Sequence, residues 1–211
     1  MRYLYIDTSA SYLYSSIIEN GDALSVIIEE YGQSLSEVAL PRIVSMFEDN
    51  NLEGKDIDKI IVVNGPGSFT GIRVGLTIAK VFAWGLNIPI STILSLEAMA
   101  ISSKTNKYHV PLIDARRGYV YAAIYDKDNN EILKPSHIKL DILKKELEKI
   151  NDYEIISNDE FEDFKNISPY KPNMVKMVEH FKDKKPIPSH LVNPEYLKLT
   201  EAEEKNDKRN N

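Results

Sequence analysis

The chain of 211 residues contains no cysteine, which removes disulfide frameworks, thiolate metal sites, iron–sulfur clusters and cysteine nucleophiles together. Any chemistry must use oxygen and nitrogen groups. Basic residues are in deficit, with Lys+Arg 26 against Asp+Glu 32 and a formal net charge of -6. An acidic chain matches a phosphate backbone poorly unless its cations are gathered locally, so a partner is expected to help hold any nucleic acid. No apolar run approaches the roughly 20 residues that span a bilayer, and Asp7 interrupts the opening segment where a signal peptide needs apolar residues. The reading is of a cytoplasmic chain without a membrane partner. Glycine is scarce: the chain has 9, no two of them adjacent, and the last is Gly118.

What is present describes a globular protein. A hydrophobic content of 43% with 27% charged residues is enough for one sizeable core or two small lobes. Tyr3-Leu4-Tyr5-Ile6, Leu13 to Glu19 and Ala23 to Ile28 are aromatic or β-branched runs, and Asn20-Gly21 joins the second to the third, which predicts an antiparallel meander. From Ser36 to Glu48 the apolar positions recur at helical spacing. Ser36 is the N-cap candidate and Glu37 suits the positive end of the helix dipole. Pro41 within this pattern predicts a bend.

Lys59-Ile60-Ile61-Val62-Val63 reads as a strand buried on both faces,. It runs into Asn64-Gly65-Pro66-Gly67-Ser68-Phe69-Thr70-Gly71 and then an almost wholly apolar helix from Gly71 to Leu86. The glycine loop invites reading as an anion cradle, but its spacing fits neither the Walker nor the dinucleotide pattern. A tight strand-to-helix connection capped by Ser68 or Thr70 is the plainer alternative. A helix apolar on every side needs cover beyond its own sheet, and Gly71 and Gly75 offer a flat strip for a second helix. Further on, Ser95 to Ser102 predicts a helix, Tyr108 to Asp114 and Gly118 to Tyr125 a hairpin around Arg116 and Arg117, Asp141 to Ile150 a charged helix, and Glu154 to Ser157 a strand. The segment Glu201 to Asn211 reads as a charged tail.

Asn64-Gly65-Pro66-Gly67-Ser68-Phe69-Thr70-Gly71-Ile72-Arg73-Val74-Gly75 closely resembles the signature of the bacterial TsaB (YeaZ) family. Ile6-Asp7-Thr8-Ser9, Ser36-Glu37 with Leu40-Pro41, Asp114 to Tyr121 and Pro194-Glu195-Tyr196-Leu197 resemble the family's other motifs in order. The resemblance implies an α/β fold of the actin-like ATPase (ASKHA) superfamily, with two related lobes of which the second is reduced. The expected division is an N-terminal lobe over 1–103, with 193–205 packing back on it, a reduced lobe over 104–192, and a frayed tail over 206–211.

The resemblance also implies a role in forming N6-threonylcarbamoyladenosine on tRNAs reading ANN codons, as the noncatalytic partner of a TsaD-like paralogue joined by a TsaE-like ATPase. Contact with tRNA would be indirect, through the complex, and the chain alone could form a homodimer. The expected partner interface is Ser36, Glu37, Leu40, Gly67, Phe69, Ile72, Gly75, Leu76 and Ala79. Asp7, Thr8 and Ser9 are weak candidates for a nucleotide or phosphate. Asp7 alternatively satisfies backbone amides at the strand end. No cofactor is expected in the isolated chain, and ATP or ADP only at the seam with the partner.

The competing reading is an ATP-hydrolysing or metal-dependent, glycoprotease-like hydrolase acting alone. His109, His137, His180 and His190 show no metal-clamp spacing,. Asp7-Thr8-Ser9-Ala10-Ser11 lacks the glycine that lets backbone amides reach a phosphate, and nothing after Gly118 replaces it. Catalytic and metal-ligating residues are therefore expected to be absent. Arg116 and Arg117 read as solvated turn residues.

Overall fold

The computed structural model describes residues 1–31 and 34–198. The described residues divide into two compact units, one of Met1–Lys104 and Tyr170–Glu195, the other of Thr105–Pro169 with residues 196–198.

The first unit is built on strands β1 (Arg2–Asp7), β2 (Tyr12–Glu19), β3 (Asp22–Glu30), β4 (Lys59–Val63) and β5 (Ile90–Ile93), in the spatial order β3-β2-β1-β4-β5. β1, β2 and β3 form the antiparallel meander, while β4 and β5 add parallel to β1. Helices α1 (Leu35–Asp49) and α2 (Phe69–Leu86) supply the parallel crossovers' cover. Leu4, Ile6, Leu13, Ile17, Ile60 and Val62 share one core with α1 and α2, and the Phe47 and Phe82 rings stack between the two helices at 5.9 Å. The alternate residues Tyr5 and Tyr14 point to the other face, where Tyr14 meets Tyr170 edge-on at 5.5 Å. Helices α3 (Ser95–Ser102) and α5 (Met174–Phe181) complete the unit, bracketing in sequence the second unit's α4 (Leu140–Leu147).

The second unit repeats the pattern. β6 (Tyr108–Asp114), β7 (Tyr119–Tyr125) and β8 (Glu131–Lys139) form a meander, and β9 (Tyr153–Ile156) and β10 (Ile167–Ser168) add parallel. Read from β8, the order β8-β7-β6-β9-β10 is that of the first sheet. α4 lies between the third and fourth strands, as α1 does, and buries Leu143 and Leu147 against Val110, Leu112 and Val120. No helix corresponding to α2 joins β9 to β10. This is a mixed α/β fold of the actin-like ATPase class, two related units with the second reduced.

Three differences from the sequence reading have physical causes. Ser34, not Ser36, is the N-cap of α1, because the helix already starts at Leu35, whose side chain is buried. β8 carries Pro135 among charged residues; a central strand could not spare the proline's missing donor, but β8 is at the sheet edge,. The segment assigned to the second lobe over 104–192 returns to the first unit at Tyr170. There α5 turns Met174, Met177, Val178 and Phe181 inward at helical spacing, and Ile187 bridges to Ile90 on β5. Of the segment 193–205, Glu195 donates its backbone N–H to the Asn64 carbonyl at 2.8 Å. The charged tail over 206–211 lies outside the described residues.

Lys59 fixes this return. Its side chain is buried at the first position of β4, and Nζ donates to the carbonyls of Phe181 (3.2 Å), Lys182 (2.8 Å) and Lys184 (2.5 Å). A cation thereby satisfies the last carbonyls of α5, where the helix dipole is negative. Desolvation pulls the ammonium pKa below its ordinary value. Lys59→Met keeps most of the volume and removes one donor from each of these carbonyls, the Phe181 carbonyl keeping the Lys184 N–H and the Lys184 carbonyl the Ser91 hydroxyl, so a loss of about 2 kcal/mol is expected in urea unfolding. A midpoint equal to wild type would show the contacts to be dispensable.

Candidate functional site

The glycine loop leaves β4 through Asn64 and a cis Gly65–Pro66 bond, and Ser68 caps α2 by accepting the Gly71 N–H at 3.2 Å. The loop lies directly on the β1–β2 connection. Ser68 N–H donates to the Ser9 carbonyl at 2.7 Å, and the Thr8 hydroxyl donates to the Gly71 carbonyl at 2.7 Å. A Cβ at Gly67 would meet the Ser9 carbonyl oxygen at 2.2 Å; one at Gly71 would meet the Thr8 carbonyl oxygen at 2.0 Å. At Gly75 it would meet Thr8 Oγ1 at 2.3 Å. The glycines are thus required by a close approach of the chain to itself.

That geometry corrects the expected interface. Gly75 packs on Thr8 within the same unit, and Ile72, Leu76 and Ala79 are 1%, 3% and 0% exposed within the core. They are inner-face residues of α2, out of a partner's reach. Gly67 is half-buried against Ser9. Ser36, Glu37, Leu40 and Phe69 are exposed. Outside the expected set, α2 carries an outer stripe of Arg73, Thr77, Val81 and Trp84, spaced four, four and three apart, with Val81 61% and Trp84 82% exposed. On α1, Leu40, Pro41 and Val44 are exposed at the same kind of spacing. The Arg73 guanidinium lies 3.8 Å from the Phe69 ring centroid at the start of α2. The helical period itself carried the missing signal, since positions four apart from Ile72 and Leu76 define one face and those from Arg73 and Thr77 the opposite one.

α2 is long and apolar enough by length and composition to cross a membrane. Its inner stripe nevertheless packs on β1 and β4 in the same core as α1, as the helix of a layered α/β unit does,.

Asp7, Thr8 and Ser9 are brought together but buried. Asp7 Oδ1 accepts both the Ser9 N–H (2.8 Å) and the Ser9 hydroxyl (2.7 Å), an Asx-type closure that needs no ligand. Burial raises the Asp7 carboxyl above its ordinary value, and the two Ser9 bonds offset part of that rise. Among the described residues no group of three His, Asp or Glu side chains could hold a metal ion. His109 is buried in β6, whereas His180 sits in the last turn of α5.

The chain also closes over the loop from its far end. Lys80 Nζ donates to the Val192 carbonyl at 2.8 Å and Asn64 Nδ2 to that of Asn193 at 3.4 Å.

A duplicated meander with parallel additions and a helix-bound glycine loop defines a protein of the actin-like ATPase class. The family model described as TsaD, tRNA N6-adenosine threonylcarbamoyltransferase, matches residues 26–178. The chain is 31% identical over 97% of its length to the tRNA threonylcarbamoyladenosine biosynthesis protein TsaB of Bacillus subtilis, of which it covers 97%. The protein of the same description from Escherichia coli is 32% identical over 63% of this chain and 58% of its own length. A YeaZ structure from Pseudomonas aeruginosa superposes with a TM-score of 0.72 over 92% of this chain and 100% of that one, at 17% identity, a likeness of fold. The chain belongs to the TsaB (YeaZ) family.

Two outcomes are expected. Gly71→Ala forces a methyl group into the Thr8 carbonyl and should cost about 3 kcal/mol in urea unfolding, with Gly75→Leu destabilising for the same reason; unchanged midpoints would refute the packing. The unfolded chain releases the Asp7 proton at lower pH than the folded one, so this group makes stability fall as pH rises from near 3.8 through the raised native value,. Asp7→Asn keeps an acceptor for Ser9, and should raise the melting temperature at neutral pH and flatten its dependence across the acid range. A lower melting temperature would mean that the ionised carboxylate is required.

Proposed function

We propose that the chain is a noncatalytic partner subunit in N6-threonylcarbamoyladenosine formation on tRNA, acting in the cytoplasm by pairing with a TsaD-like catalytic paralogue. The observation that carries this reading is the outer face of α2, where Val81 and Trp84 are exposed, together with Leu40 and Val44 exposed on the neighbouring α1. Large apolar side chains at regular helical spacing on two neighbouring helices form a docking surface, and tryptophan is a common anchor of such contacts. A paralogue of the same fold presents two equivalent helices. The same face also supports a homodimer when the paralogue is absent. The TsaE-like ATPase then joins the assembled pair, and a nucleotide at the seam is bound by groups that both partners complete.

The competing solitary hydrolase is less well supported, because Asp7 and the N–H groups of Ser68 and Gly71 are engaged within the chain. The test is reconstitution of tRNA modification with the paralogue, the ATPase and the carbamoyl-adenylate-forming enzyme supplied, with and without this chain. Trp84→Ala and Val81→Lys touch only the exposed face. Their melting temperatures should match wild type, while Trp84→Ala weakens paralogue binding by at least about thirtyfold and modification falls accordingly. Normal affinity in both variants would exclude this face.

A further inference from the structure

We propose that the second unit carries a contact site for single-stranded RNA, formed by the β6–β7 turn and the adjacent face of β7 and β8. In the register of this pair Tyr119 faces Lys139 and Tyr121 faces His137. The intervening residues Val120 and Ala122 point into the core with Leu143, so the four alternate side chains share the opposite face. There they form a row: the Tyr119 and His137 rings stack at 4.8 Å and 12°, and the Tyr121 ring meets His137 at 5.2 Å. Lys139 Nζ lies 6.0 Å from the Tyr119 centroid.

The turn beside this row presents Arg116 and Arg117, both exposed. Both adopt left-handed backbone conformations, φ 65° and 56°, followed by Gly118 at 74°. A turn selected for shape alone would place Asn or Gly at such positions. Asp114 holds the turn through the Arg116 N–H at 2.8 Å. Neither guanidinium has a carboxylate partner within ion-pair distance among the described residues.

Arg116, Arg117 and Lys139, none of them in an ion pair among the described residues, surround a row of flat rings on a chain whose net charge is -6, while the Asp114 and Asp159 carboxylates are occupied by backbone N–H groups of the turn. Alternating ring and cation suits a strand that alternates base and phosphate, with an unpaired base extending the ring row and phosphates meeting Arg116, Arg117 and Lys139. An acidic peptide would use the cations and leave the rings without a partner. Double-stranded RNA keeps its bases stacked inside and would have no use for the rings either. The inference rests on the proposed role in tRNA modification only for which RNA is bound.

Fluorescence anisotropy of the full-length chain, alone and with the paralogue, tests the site with two labelled probes: an anticodon stem-loop of an ANN-decoding tRNA and an oligouridine strand. Arg116→Asn with Arg117→Asn keeps the left-handed turn accessible, so the double variant should melt no lower than wild type. Its RNA affinity should fall at least about tenfold, and the slope of log K against log salt should lessen by about 1.4, two cations at the single-strand value. Tyr121→Leu should weaken binding about tenfold with little change of slope. Wild-type affinity in these folded variants overturns the site, as does an absence of binding to either probe or a preference for polyglutamate over RNA. Trp84→Ala separates the two proposals. RNA binding retained by a chain that docks normally with and without Trp84 refutes the helix face alone, whereas lost RNA discrimination in an intact heterodimer refutes this site alone.

Discussion

The close contact between the β1–β2 connection and the first two turns of α2 organises everything else in the first unit. Two backbone segments meet there with no room for a Cβ at Gly67 or Gly71, and Thr8 fills the space over Gly75. Once that contact forms, the rotation of α2 about its own axis is set. Ile72, Leu76 and Ala79 must enter the core, and Val81 and Trp84 must face outward. The apolar composition of the helix, ambiguous by itself, becomes two distinct stripes: one completes the fold and the other stays exposed.

The same contact bears on nucleotide chemistry. The Ser68 N–H and the Thr8 hydroxyl, groups that could meet a phosphate, are spent on the Ser9 and Gly71 carbonyls. Asp7 is closed over by Ser9. In a loop with the outward appearance of an anion cradle, the glycines answer a steric demand from within the chain. The small number of glycines fits the proposed division of labour, in which a partner of related fold supplies the reacting groups.

Much of the fold was legible because periodicity and turn chemistry agreed: the N-terminal meander, β4, the loop and α2 all carry strong local signals. β8 was not, since Pro135 argues against a strand until that strand is known to lie at an edge,. α5 has a clear apolar spacing, but its attachment to the first sheet depends on Lys59, more than a hundred residues away. The repeated strand order is a property of pairing and left no sequence repeat behind it. For the candidate site, motif resemblance pointed to α2. It could not choose the helix face, because the decisive information is the separation between Gly71 and Thr8 across the chain.

Trp84 is the single tryptophan of the sequence, so its fluorescence reports on the proposed docking face without added labels. Iodide quenching of Trp84, measured on the chain alone and after titration with a tryptophan-free TsaD-like paralogue, tests the central claim most directly. Strong quenching that falls in step with complex formation is the predicted result. Equal quenching before and after a complex has formed, as judged by gel filtration, would contradict the account.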